Sequence, residues 1–250
     1  MTPTTTTTTA ADPEACPAAP PTPAWLGDLA AALHERLPPD AGDDWARRLY
    51  GLLGTRAPVA GLAVLHTWHC RTVLPLLAEQ VRDDDPGAFE PLGDLHRTAA
   101  LGTPVAGETW SAVLAPALLR VYGAAYDRAG AYTEAHLNAR DHALANGFSP
   151  ADAEAYGHAY ARLSSDANAT AFAEAHAEAL GPALAHAYAT DDGQAYADTF
   201  PGSQLRAVIR AATPPEEAAE HVVERLAEGL LTALADGPPV PHTSDLDRSS

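Results

Sequence analysis

Histidines and carboxylates crowd the alanine-rich stretch from Val121 to Asp198, and they are the groups best able to do chemistry there. One predicted helix carries Glu134, His136, Asp141 and His142; the next carries Asp152, Glu154 and His158; a third carries Glu174, His176 and Glu178. Bundles that hold two iron or manganese ions aim such side chains inward from four helices, commonly with a Glu-x-x-His pair. That pair is absent here. Glu154 and His158 stand four apart and share a face, whereas Glu134 with His136, and Glu174 with His176, diverge by about 200° on a helix. A metal-dependent oxidase would have to gather Glu134, Asp141, His142, Glu154, His158, Glu174 and His176 around iron or manganese. The spacing favours exposed acid–histidine pairs on helix surfaces instead.

Three smaller groupings stand apart. His66 and His69 are three apart on one face beside Trp68, close enough to share an ion, but Cys70 points about 100° away and no third ligand is evident nearby. Asp83-Asp84-Asp85 resembles the magnesium motif of isoprenoid cyclases in the aspartate run alone. No downstream Asn/Asp–Ser–Glu motif follows, so a loop and a cap for the next helix are expected. Tyr122 with Tyr126, and Tyr156 with Tyr160, form step-four stripes among alanines. They supply packing mass and a candidate interaction face with polar tips.

Composition narrows the function classes. The chain carries 33 acidic and 15 basic residues, a formal net charge of −18, and every basic residue is arginine. Such a surface repels phosphate backbones and anionic lipid, so nucleic acid and membrane are not expected partners. The absence of lysine fits a high-GC bacterial genome. Two cysteines, Cys16 and Cys70, make no disulfide framework. With no basic-then-apolar leader and no apolar run of about 20 residues, a cytoplasmic protein is expected. Walker A, G-x-G-x-x-G, H-E-x-x-H and G-x-S-x-G motifs are all missing.

The elements that must position these groups are helices, because alanine is the best helix former and a poor strand former. Periodicity and capping predict helices near residues 24–36, 43–54, 58–82, 86–101, 108–145, 150–165, 167–189, 194–211 and 214–236. Ser149-Pro150 with Asp152 reads as a helix start, Thr213-Pro214-Pro215-Glu216 as another, and Asn146-Gly147 as a stop. Pro75, Pro116 and Pro182 should kink or break their helices. Residues 1–22 and 237–250, rich in Thr, Pro and Ser, are expected to be disordered. The fold expected is an all-α antiparallel bundle of eight or nine helices over 24–236, with a possible subdivision near 101–108. The function expected is a non-catalytic interaction or regulatory module, without cofactor, that binds a protein partner or itself.

Overall fold

The computed structural model describes residues 22–55, 59, 61–81, 85, 87–214 and 218–236. All regular structure among them is helical. The two expected disordered ends (all but Thr22), Cys16, Asp83 and Asp84, and the Pro215-Glu216 part of the expected helix start lie outside the described residues.

The body of the fold is built from α1 (Ala24–His34), α2 (Pro39–Thr55), α3 (Ala63–Trp68), α4 (Leu74–Val81), α5 (Glu90–Ala100), α9 (Gly193–Ala197), α10 (Pro201–Ala212) and α11 (Glu220–Ala235). Between α3 and α4 the backbone widens into a π turn over His69–Val73. Pro75 follows directly; it lacks an amide proton and crowds the carbonyl four residues back, and the wider turn accommodates both defects. The expected apolar face of α11 is the centre of the core: Val222, Val223, Leu226, Leu230, Leu231 and Leu234 are all buried. Two tryptophans pin it, Trp45 Nε1 donating to Ala227 O and Trp68 Nε1 to Leu226 O, each at 2.9 Å. These acceptors spare both indoles the cost of about 1–3 kcal/mol that an unmet buried N–H carries.

The remaining chain forms a long hairpin. α6 (Gly107–Ala125) and α7 (Arg128–Ala145) run one after the other along α8 (Pro150–Thr190), antiparallel to it. α8 has 41 residues, which at 1.5 Å each is about 60 Å. Ala153, Gly157, Ala161, Ser165, Ala169, Ala173, Ala177, Gly181 and Ala185 recur every fourth residue along it, all buried. Four residues turn a helix about 400°, so the stripe drifts by about 40° per step. Small side chains along it let neighbouring helices approach closely. The base of α8 packs on α6; its outer half packs on α7, which makes no other substantial helix contact among the described residues. The outer half is therefore a two-helix arm.

Several expected boundaries are corrected. The helix expected over 108–145 is broken at Tyr126, which is extended, and Asp127 caps α7 by accepting from Gly130 N at 3.0 Å. The helices expected at 150–165 and 167–189 are one. There Ser165 satisfies its hydroxyl within the helix, donating to Ala161 O at 2.7 Å, instead of ending it. The segment 194–211 is interrupted at Phe200, whose φ is +56°; Pro201 disfavours helical backbone in the residue before it. α11 starts at Glu220 rather than 214. Pro116 and Pro182 lie inside α6 and α8 without ending them. The Ser149 cap is as expected, accepting from Asp152 N at 3.2 Å, and Gly147 carries the left-handed φ of +83° that ends α7.

Candidate functional site

Three places hold the side chains capable of chemistry. The first is a cleft of about 1120 Å³ where α6, α8 and α10 meet the start of α7. Its apolar floor is Tyr122, Tyr126, Phe172 and Leu180, with Phe200 at the edge. Phe172, His176 and Leu180 share a face of α8, as the step-four spacing predicts. Tyr122 stacks on His176 with ring centres 4.2 Å apart, and His176 Nδ1–H donates to Phe172 O at 2.8 Å, leaving Nε2 as the acceptor. Burial pushes the Tyr122 hydroxyl up to about 12, so it stays neutral.

Arginines line the same cleft: Arg36, Arg128, Arg206 and Arg210, against one carboxylate among the described residues, Asp127. Of the described arginines, only Arg36, Arg162, Arg206 and Arg210 form no ion pair with another described residue. Three of those four line this cleft. Arg210 donates to Ala125 O at 3.3 Å and Arg206 to Ser203 Oγ at 2.7 Å, neutral partners, and neither guanidinium meets a carboxylate among the described residues. Because the chain has more than two acids per base, this surplus of unpaired cations in one place stands out from its surroundings.

The second place is in the body. His66 and His69 are joined by His96 of α5, a third imidazole that lies some thirty residues along the chain from His66. His66 Nδ1 and His96 Nδ1 are 2.8 Å apart, so one donates to the other. Trp110 stacks on His66 at 5.6 Å, and Tyr188 meets both His66 and His96 at 5.2 Å. Burial drives all three imidazoles toward the neutral form: His66 down to about 4, partly offset by Asp191, and His69 down to about 3. His96 lies well below its ordinary value for the same cause, reinforced by its two histidine neighbours. His69 is only half-buried as a residue, yet its Nδ1 is shielded and has no hydrogen-bond partner among the described residues. The three do not offer ligand atoms close enough together for one ion.

The third place is on the arm, where His136, Glu154 and His158 converge. Of the seven residues considered for a dimetal site, no three lie within ligating reach of one another. Glu154 and His158 meet. Glu134, Asp141, His142 and Glu174 are exposed, Asp141 paired with Arg140 at 2.9 Å, and His176 belongs to the cleft. The four tyrosines considered as one interaction face divide likewise. Tyr122 and Tyr126 line the cleft, while Tyr156 and Tyr160 stack on each other at 6.2 Å on the exposed arm, beside Phe148.

Two signals for these sites were present in the sequence. His96 stands four residues after Leu92 on the apolar face of α5, a position that points a side chain inward. His136 diverges from Glu134 on its own helix, but its partners come from the next one. The chain matches no protein-family model, no curated protein and no solved structure.

Proposed function

We propose that this protein is a non-catalytic helical binding module whose cleft docks an acidic, apolar-anchored segment of a partner protein. The observation that carries this reading is the gathering of Arg36, Arg206 and Arg210, all without ion pairs among the described residues, around an aromatic floor. Arginine beside tyrosine and phenylalanine is the composition of binding hot spots. A cleft of about 1120 Å³ lies just above the range of about 300–1,000 Å³ usual for small-molecule sites, which suits several residues of a peptide. The net negative charge of the chain does not prevent this, since at physiological salt charges farther than about 8 Å are largely screened. A dimetal oxidase lacks comparable support, because its seven residues are dispersed.

A peptide array of 12- to 15-residue segments graded in charge and apolar content tests the proposal. Binding is expected to concentrate on peptides that combine Asp or Glu with Phe, Tyr or Leu, and to fade in high salt. Alanine at Arg206 or Arg210 should weaken it by about tenfold or more, the order expected of hot-spot arginines. Binding without charge preference would overturn the reading.

A further inference from the structure

We infer that His136, Glu154 and His158 form a site for one divalent transition-metal ion, zinc first, that clasps α7 to α8 across the arm. His136 Nε2 lies 3.2 Å and His158 Nε2 3.4 Å from the same Glu154 oxygen. Metal–ligand bonds of about 2.0–2.1 Å in a tetrahedral shell place neighbouring ligand atoms about 3.3 Å apart, so both separations match ligand edges around an ion. All three ligand atoms lie within 4.8 Å of one another.

His136 supplies a second and independent sign. Its Nε2 is shielded from water and, among the described residues, has no well-formed hydrogen bond, its one polar neighbour being the Glu154 oxygen at 3.2 Å. A buried nitrogen in that state costs free energy that a bound cation would recover. His158 is prepared from behind: its Nδ1 is 2.7 Å from the Tyr132 hydroxyl. When Nδ1–H donates to that oxygen, the Nε2 lone pair is free for a metal, the arrangement usual for ligating histidines.

The fold brings the ligands together through Gly157. A Cβ there would stand 3.0 Å from His136 Cδ2, 3.1 Å from His136 O and 3.2 Å from Arg140 Cβ, so the missing side chain lets α7 lie closer to α8 at this level than any larger residue would without a shift. Glu154 and His158 flank that glycine on α8 and are half-exposed, whereas His136 is mostly covered. This leaves an open side for a fourth ligand such as water. Two imidazoles and one carboxylate suit zinc, and nickel and copper compete by the usual order of affinity.

Calorimetric titration of the full chain, first stripped by chelator, with zinc alone is the test. One equivalent is expected to bind, and cobalt in its place should give the visible bands of a four-coordinate ion. His136→Ala and His158→Ala should each lower affinity at least tenfold, while His34→Ala leaves it unchanged. Glu154→Gln preserves shape and should also cost tenfold, which keeps the test decisive if a histidine variant fails to fold. Tyr132→Phe should weaken binding without abolishing it. Zinc should slow amide exchange in 132–158. Absence of zinc binding by the parent chain, or binding that survives the His136→Ala/His158→Ala double variant, overturns the inference.

Discussion

Acidification from pH 7.5 to 5 should remove about 6 kcal/mol of folding free energy, and the three buried imidazoles of the body account for it. In the unfolded chain each titrates near 6.5. In the folded chain burial holds His66 to about 4 and His69 to about 3, with His96 well below its ordinary value. The unfolded state therefore takes up protons that the folded state refuses. Stability is fully present above pH 6.5 and is lost as the pH falls toward the folded values. At pH 5 the difference is about 2 kcal/mol for each imidazole. Three together approach the whole stability of an ordinary domain, about 5–15 kcal/mol. A chain of this size loses about 2–4 °C of Tm per kcal/mol, so the Tm should fall by roughly 12–24 °C. Thermal melts followed by circular dichroism at half-unit pH steps read the effect above the range where carboxylates protonate. The double variant His66→Leu/His96→Leu should lose about two thirds of that pH dependence, whatever its stability at pH 7.5. Equal pH dependence in the variant and the parent would refute the reasoning.

Other perturbations probe the packing directly. Ala161→Leu in the small-residue stripe forces α7 away from α8 and should cost about 1–3 kcal/mol in urea unfolding. Gly229 of α11 passes the π turn so closely that a Cβ would collide with the Thr72 side chain. Gly229→Ala should therefore destabilise by about 1–3 kcal/mol, and adding Thr72→Ala, which removes Oγ1 and Cγ2 but keeps the Cβ that would lie 2.8 Å away, should recover only part of the loss in a double-mutant cycle. Ser149→Ala removes the cap of α8 and should cost about 1 kcal/mol, with faster amide exchange confined to the first turn.

The parts of the fold legible in the sequence are those where a local signal and the tertiary contact agree. The α11 stripe, the Ser149 cap and the Gly147 stop all belong here, because one helix face or one turn decides each. The signal failed where alanine supports a helix on both sides of a boundary. Nothing in propensity separates Ala124-Ala125 from Ala129, and it is Asp127 capping Gly130 N that divides α6 from α7. Ser164-Ser165-Asp166 looks like an interruption, yet the Ser165 hydroxyl folds back on Ala161 O and the helix continues. Chemistry was less legible than fold for a related reason. Spacing along one helix reveals ligands only when they share that helix, and His96, His136 and the arginines of the cleft acquire their meaning from neighbours distant in sequence.

Charge reversal at the cleft tests the account most directly. With an acidic, aromatic-bearing peptide selected on the array, fluorescence anisotropy would compare the parent chain with Arg206→Glu/Arg210→Glu. The account predicts that the variant loses this peptide by at least a hundredfold and instead binds the counterpart in which Asp and Glu become Lys. Undiminished binding of the acidic peptide by a folded variant would contradict it.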